Sequence, residues 1–220
     1  SDVYKRQIDA GEGVYRSMRL CGYDVEDVEA VVITHTHGDH VLGLPTLILM
    51  AAQKGVKIPR IVLPDSAVVK VRQLIEVVGL EHLLKGIEFV AVKPGDSVAL
   101  NSFTVYFSKA LHTTPALSIK VVVGGKCIVF SGDTSYNPLL AEWTRGCDAL
   151  IHEVSNYSPE AHLYGHSSYP EAMDIACRSE AKIFVPIHFY RQPMPLDLQH
   201  LKCDPKPKIF VPTPCSYLEI

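Results

Sequence analysis

Short apolar runs alternate with apolar residues at helical spacing along almost the whole chain. Ala30–Thr34 is apolar until its last residue, which is typical of a buried strand that leads into a functional loop. The pattern predicts strands at Ala30–Thr34, Ile58–Leu63, Ile87–Val92, Phe103–Ser108, Leu117–Val123, Cys127–Ser131, Ala149–Glu153 and Lys182–Pro186. It predicts helices at Pro45–Gln53, from the caps Asp65 and Ser66 to Val78, at Pro138–Thr144 and at Ser168–Ser179.

These elements follow one another without a linker-like tract or an internal repeat. We therefore predict one mixed α/β domain over residues 1–220. Apolar residues make up 47% and charged residues 20% of the chain, as in ordinary globular proteins. The longest apolar stretch, Val41–Ala52, is interrupted by Gly43 and Pro45 and is too short to span a bilayer, so no membrane association is expected.

The first residues of the chain and its cysteines indicate the cellular compartment. The chain opens on Ser1 and shows no hydrophobic signal core, which predicts a cytoplasmic protein whose N-terminal strands are truncated. Six cysteines are scattered without a Cys-x-x-Cys pair, and we predict that they are reduced thiols in the core rather than disulfides. They are Cys21, Cys127, Cys147, Cys177, Cys203 and Cys215.

The segment Thr34–His40 carries the strongest candidate chemistry. It reads Thr-His-Thr-His-Gly-Asp-His, so three imidazoles and one carboxylate fall within six residues, directly after a predicted buried strand. Imidazole and carboxylate groups are good ligands for zinc and similar divalent ions. Gly38 permits a turn tight enough for the side chains to converge. The structural alternative is a solvated His-rich loop, but the position inside the fold favours a metal site.

Three more candidate ligands follow predicted strands singly. His112 follows the strand that begins at Phe103, Asp133 follows the one that ends at Ser131, and His188 follows the last strand. Side chains at the C-terminal ends of several strands meet at one edge of a sheet, where α/β folds bind substrates. Taken singly, each has a structural alternative: His112 as a loop histidine, Asp133 as a helix cap and His188 as a core histidine. The His-rich segment favours the functional interpretation of all three.

The order His-x-His-x-Asp-His, an isolated His, Ser-Gly-Asp-Thr and a last His after a strand resembles the metallo-β-lactamase superfamily over nearly the whole chain. The resemblance implies a four-layer αβ/βα sandwich that holds two divalent metal ions, zinc by default, with manganese or iron as alternatives. It also implies three ligands for each ion and one carboxylate that bridges both: His35, His37 and His112 for the first, Asp39, His40 and His188 for the second, and Asp133 between them.

Two further segments are similar to the ribonuclease Z branch of that superfamily. They are Leu150-Ile151-His152-Glu153 and Gly165-His166-Ser167-Ser168, and the opening Ile8-Asp9-Ala10-Gly11-Glu12-Gly13 also resembles that branch's early strand. The resemblance implies that Glu153 and His166 form a catalytic pair beside the metals, together with Asp133. The alternatives are a solvent-facing carboxylate at a strand end and a histidine beside a helix N-terminus.

Two departures from ribonuclease Z argue against maturation of tRNA 3′ ends. That branch carries a tRNA-gripping arm between the positions of His112 and Asp133, but here the interval is 21 residues and a predicted hairpin fills it. The segment from Phe189 to Gln192 also lacks the family's Ser. Lys and Arg total 21 against 24 Asp and Glu, so no general field attracts a polyanion. We predict a small phosphate-ester substrate and no extensive nucleic-acid surface, and the sequence leaves a homodimer open.

Together these observations predict a dinuclear metal-dependent hydrolase. The favoured activity is a phosphodiesterase that acts on small or cyclic phosphate esters or short single-stranded RNA ends, with His166 supplying a proton to the leaving alkoxide. The alternative is hydrolysis of a lactone, ester or β-lactam carbonyl, since the same metal ligands serve both reactions. A non-catalytic metal-binding scaffold is least favoured, because all seven ligand positions are filled.

Overall fold

The apolar runs of the sequence become the strands of two separate β-sheets. The computed structural model describes residues 5–101, 103–155, 157–189, 203–204 and 206–220, without the side chains of Lys5 and Pro159. By its internal contacts the chain divides into two units, Ser1–Lys93 and Pro94–Ile220. The single domain expected over residues 1–220 stays a prediction. Of the segment after His188, residues 190–192 lie outside the described residues.

The first unit is built on a four-stranded parallel sheet in the order β1-β2-β3-β4. Its strands are β1 (Lys5–Ile8), β2 (Val28–Val32), β3 (Arg60–Pro64) and β4 (Phe89–Val92). Its helices are α1 (Val14–Leu20), α2 (Gly38–Val41), α3 (Leu44–Gln53) and α4 (Val68–Val77). Parallel strands need crossover connections, and these helices lie within them. The core joins β2 and β3 to α3 and α4 through Val31, Ile61, Leu47 and Ile75.

The second unit is built on a seven-stranded sheet in the order β11-β10-β9-β8-β7-β6-β5. Its strands are β5 (Ser97–Leu100), β6 (Phe103–Ala110), β7 (Ala116–Val123), β8 (Lys126–Phe130), β9 (Ala149–Glu153), β10 (Ile183–Ile187) and β11 (Lys208–Ile209). Its helices are α5 (Pro138–Thr144) and α6 (Tyr169–Ser179). The pairs from β5 to β8 are antiparallel and those from β8 to β11 are parallel. Consequently β6, β8, β9 and β10 point the same way, and their C-terminal ends share one edge.

The predicted elements agree with the structure where local signals are strong. The helix Pro138–Thr144 and the strand Ala149–Glu153 have the predicted bounds. Ser168 caps α6 in a reciprocal capping box with Glu171, as its side-chain oxygen allows. The helix predicted after Asp65 begins only at Val68, because a short 3₁₀ turn precedes it. Among the described residues, no helix combines the length and the apolar character that a membrane crossing requires.

The cysteines were predicted incorrectly. Within the second unit, disulfides join Cys127 to Cys147 and Cys177 to Cys203. Parallel pairing of β8 with β9 brings the start of each strand alongside the other, and Asp148 N donates to Cys127 O at 2.8 Å. A disulfide needs its two Cα atoms within about 7 Å, a proximity that arises here from tertiary pairing and not from sequence spacing.

Candidate metal centre

The first group of candidate ligands follows β2 in the first unit. The rings of His35 and His40 lie 4.0 Å apart by their centroids, and those of His35 and His37 lie 4.7 Å apart. Helix α2 is a single turn that carries both Asp39 and His40. His35 and His40 are buried, whereas the Asp39 side chain is 63% exposed. The loop therefore brings together the four ligands that the sequence predicts in this unit.

Asp9 orients this loop, and the sequence analysis did not single it out. One of its carboxylate oxygens lies 2.7 Å from His40 Nδ1, and the carboxylate accepts from both the backbone N and the hydroxyl of Thr34. Thr34 has one hydroxyl proton, which it donates to Asp9, so its contact at 3.0 Å with His35 Nδ1 requires that ring nitrogen to donate. Both His35 and His40 are thereby fixed with Nε2 as the nitrogen that can ligate a metal.

The backbone around Asp9 packs against the backbone of the ligand loop. Ala10 N donates to His40 O at 2.7 Å, and Gly43 N donates to Ala10 O at 2.8 Å. A Cβ atom at Gly11 would lie 2.0 Å from Asp39 O, and one at Gly43 would lie 2.1 Å from Gly11 O. Only glycine permits these approaches.

We expect Asp9→Asn to weaken zinc binding about 10- to 100-fold, the usual effect of losing a partner that orients a histidine ligand. The amide keeps the size of the side chain but cannot accept with both terminal atoms. Competition with a chromophoric chelator measures the affinity. Glu12→Gln is the matched control, since Glu12 is exposed on the same loop. An affinity equal to that of the wild type would show that Asp9 has only a structural role.

The second group of candidate ligands surrounds Asp133 in the second unit. Its Oδ2 atom lies 3.6 Å from His188 Nε2, 3.9 Å from His112 Nε2 and 3.9 Å from His166 Nδ1. Asp133 follows β8 and His188 follows β10, while His112 follows β6 and His166 follows β9. The C-terminal ends of these four strands share one edge of the sheet. The Asp133 side chain is 3% exposed. A carboxylate so deeply buried among imidazoles needs positive charge nearby.

His112 is held in one orientation by the loop before His166. Its Nδ1 donates to Gly165 O at 2.7 Å, and its side chain is fully buried. The Nε2 atom is therefore the nitrogen that faces Asp133. Gly165 has φ of 76°, and a Cβ atom there would lie 2.8 Å from His112 Nδ1. This position accordingly requires glycine for both its backbone and its space.

Glu153 and His166, predicted as a pair, are in contact. His166 Nδ1 lies 2.9 Å from Glu153 Oε1, which also accepts from Thr134 N at 2.9 Å. Burial raises the pKa of Glu153, while the contact with His166 opposes that rise. Ligand atoms of Glu153, His166 and His188 lie within 4.8 Å of one another, so this trio is also capable of holding a metal. The catalytic role of the pair stays a prediction.

His152 has a different role from its neighbour Glu153. It is fully buried, its Nδ1 lies 2.7 Å from Glu153 O, and burial lowers its pKa to about 4. It is a neutral core histidine, as its place on the opposite face of β9 predicts.

The residues of each unit fit a divalent metal ion. Imidazole nitrogen and carboxylate oxygen are the donors that zinc, manganese and iron accept. Hydrogen bonds at Nδ1 of His40 and His112 set the tautomer that ligation through Nε2 requires. Divalent metal binding is thus the chemistry of this donor set.

Comparisons with known proteins define the class. The family described as "Beta-lactamase superfamily domain" matches residues 7–189, and the chain belongs to that superfamily. Ribonuclease Z of Shouchella clausii is 25% identical over 224 residues, which cover 78% of this chain and 72% of that protein. The zinc phosphodiesterase ELAC protein 2 homolog of Caenorhabditis elegans is 26% identical over 232 residues, covering 83% of this chain but only 28% of that protein.

The fold has a close counterpart among solved structures. The metallo-beta-lactamase fold protein YhfI from Bacillus subtilis superposes with a TM-score of 0.79 at 22% identity, covering 97% of this chain and 86% of that one. The predicted superfamily and its α/β fold are therefore confirmed. Of the two relatives, one is named a zinc phosphodiesterase and the other a ribonuclease. The roles of the individual site residues stay predictions.

Proposed function

We propose that this protein hydrolyses phosphodiester bonds in small substrates, with two divalent metal ions held by the superfamily's ligand positions. The proposed ligands are His35, His37 and His112 for one ion, Asp39, His40 and His188 for the other, and Asp133 for both. Zinc is the first choice, because one relative is named a zinc phosphodiesterase.

The contact between Glu153 and His166 is the observation that carries the proposal. His166 Nδ1 lies 2.9 Å from the Glu153 carboxylate and 3.9 Å from Asp133, so an imidazolium at this position is stabilised by two acids. The His166 side chain is 17% exposed, which leaves it accessible to a substrate. An alkoxide leaving group needs a proton, and a histidine placed in this way supplies one.

Metal ions bound at these ligands would stabilise the charge that develops on the phosphoryl oxygens and lower the pKa of a water molecule. The chain's own contribution is to fix the ligands and the proton donor. Asp9 and Gly165 O set the ring orientations of His40 and His112. Glu153, itself held by Thr134 N, orients His166 so that its Nε2 points away from the carboxylate.

The structure between His112 and Asp133 supports a small substrate. The interval holds β7, β8 and the turn at Gly124-Gly125, and every residue in it is described. A hairpin of this size has no room for a further domain that would grip tRNA. Affinity for a polyanion comes mainly from neutralising many phosphates, so few contacts are expected beyond the metal centre.

A panel of substrates tests the reaction class. We expect turnover of bis-p-nitrophenyl phosphate or a cyclic nucleotide by the metal-loaded protein, and little turnover of a lactone or of nitrocefin. This expectation rests on the contact between Glu153 and His166, the pair that the resemblance to the ribonuclease Z branch assigns to phosphodiester hydrolysis. Strong lactone or nitrocefin turnover without any phosphodiester turnover would overturn the proposal in favour of carbonyl hydrolysis.

Intact precursor tRNA is expected to be a poorer substrate than a small diester for the same amount of enzyme. Binding of tRNA, measured against salt concentration, should be weak and should have a shallow slope, because the slope scales with the number of phosphates neutralised. Affinity below about a micromolar with a steep slope would instead require a basic surface, such as one formed across a homodimer.

A further inference from the structure

A cavity of about 380 Å³ lies on the second unit, away from the candidate ligands. Part of its wall is one face of the sheet, where Tyr106 pairs with Lys120 across β6 and β7, and Val122 pairs with Cys127 across β7 and β8. Directly paired residues, and residues two apart on one strand, share a face. The volume falls within the range of small-molecule sites, roughly 300–1,000 Å³.

The rest of the wall comes from the end of α5 and the turn that follows it. Trp143, Arg145, Gly146 and Cys147 complete the lining. Cys127 and Cys147 lie at the N-terminal ends of β8 and β9, whereas Asp133 and Glu153 lie at or beyond the C-terminal ends of the same two strands. The cavity and the candidate ligands therefore occupy opposite edges of this part of the sheet.

Two cations and two aromatic rings give the cavity its chemistry, and no acidic residue is in its lining. Lys120 Nζ lies 4.5 Å from the centroid of the Trp143 ring and donates to Trp143 O. Tyr106 is 40% exposed, so its ring is available for stacking. Val122 and the disulfide between Cys127 and Cys147 supply apolar surface. This combination suits a ligand that is both anionic and aromatic.

Among the described residues, no buried ion pair neutralises Lys120 or Arg145. Burial lowers the pKa of Lys120, and among the described residues no carboxylate forms an ion pair with it. Arg145 pairs with Glu180 at 3.4 Å, but both side chains are 59% exposed, and such surface pairs are weak. Asp148, behind the disulfide, is already engaged by Lys182 Nζ at 2.7 Å and by Cys127 N at 3.0 Å.

We propose that this cavity is a second ligand site, which binds a nucleoside monophosphate group with its phosphate at Lys120 and Arg145 and its base against Tyr106. A phosphate monoester carries up to two negative charges at neutral pH, which matches two cations better than a single carboxylate does. Base stacking on an aromatic side chain adds affinity that inorganic phosphate lacks. The group belongs either to a free mononucleotide or to the end of an RNA strand. The site does not depend on the proposed phosphodiesterase activity.

The single tryptophan of the chain reports on this cavity directly, because Trp143 is part of its wall. Titration of the full-length protein with AMP is expected to change the tryptophan fluorescence saturably. Lys120→Met should weaken this binding about tenfold or more, as expected for the loss of a charge-assisted hydrogen bond. Arg145→Gln should weaken it several-fold, and this exposed position makes the variant safe for folding. Lys208→Met removes an exposed lysine on β11 that is not part of the cavity lining; it is the matched control and should bind as the wild type does.

Titrations with adenosine, with inorganic phosphate and with a short oligoadenylate separate the contributions of the base, the phosphate and a strand end to binding. Weaker binding of both adenosine and phosphate than of AMP supports the site, and the oligoadenylate arm shows whether a strand end or a free nucleotide binds better. Turnover of a small diester should stay unchanged in all three variants, since none of these residues belongs to the candidate metal centre. The proposal would be overturned by phosphate binding as tight as AMP binding or by the absence of a saturable change in fluorescence. It would also be overturned if Lys120→Met and Arg145→Gln both bound AMP as tightly as the wild type does.

Discussion

Asp133→Ala is expected to lose at least one of the two proposed metal ions and to slow hydrolysis roughly 10³-fold or more, since a catalytic metal contributes several kcal/mol. Asp133 is the carboxylate on which the second unit converges, within 3.9 Å of ring nitrogens of His112, His166 and His188. Removing it takes away the negative charge that offsets two cations. Elemental analysis of protein prepared without chelators, together with turnover of a small diester, measures both effects.

Two controls make the Asp133 result specific. Asp204→Ala removes an exposed carboxylate from the same unit and should retain both metal and activity. Urea unfolding of the chelator-treated proteins should show one cooperative transition for Asp133→Ala as for the wild type, so that a loss of metal and of activity is not a loss of the fold. Two tightly held ions in Asp133→Ala would contradict the bridging role.

His166→Ala is expected to keep nearly all of its metal and to slow phosphodiester hydrolysis roughly 10²–10⁴-fold, the usual worth of a positioned general acid. The loss should be largest for alkoxide leaving groups and should shrink for p-nitrophenolate, which departs without a proton. Metal analysis and turnover of both kinds of substrate provide the measurement. His162→Ala, four residues earlier in an exposed position, is the control.

Two other outcomes for His166→Ala would assign the residue differently. Loss of a metal ion would make His166 a ligand, in the trio that it forms with Glu153 and His188. An equal loss of rate on good and poor leaving groups would mean that His166 positions the substrate and does not donate a proton. Glu153→Gln should follow the same leaving-group dependence if Glu153 acts through His166.

The parts of the fold that could be predicted are those with strong local signals. Pro138 and the apolar spacing after it define α5, and the run Ala149–Glu153 is apolar enough to be recognised as β9. In contrast, β11 is only Lys208–Ile209, and it is a strand because it pairs with β10. The disulfides depend on the same kind of tertiary pairing. Such elements are fixed by their neighbours in space, which sequence patterns do not show.

In the candidate site too, residues that are adjacent in sequence could be predicted, and a residue placed by strand pairing could not. His35, His37, Asp39 and His40 are adjacent in sequence, so their spacing alone indicates a metal site. The role of Asp9 arises because β1 pairs in parallel with β2, placing Ile8 opposite Val32 and Asp9 N 2.8 Å from Val32 O. Its carboxylate thus reaches Thr34 and His40 from 25 and 31 residues away. The sequence signal near it is the segment from Ile8 to Gly13, which resembles the early strand of the ribonuclease Z branch but does not indicate what Asp9 contacts.

The packing of backbone on backbone at Gly11 and Gly43 restricts which substitutions this protein can accept. No side chain fits at either position, so the loop that carries the first four candidate ligands offers evolution little to vary without displacing Asp39. Leu163 and Tyr164, in the short 3₁₀ helix that precedes Gly165, are the opposite case, since they are 67% and 70% exposed. Substitutions there cost little stability. New substrate preferences are therefore expected to arise from substitutions at Leu163 and Tyr164, whereas the backbone packing at Gly11 and Gly43 leaves the His-rich loop few substitutions that it can accept.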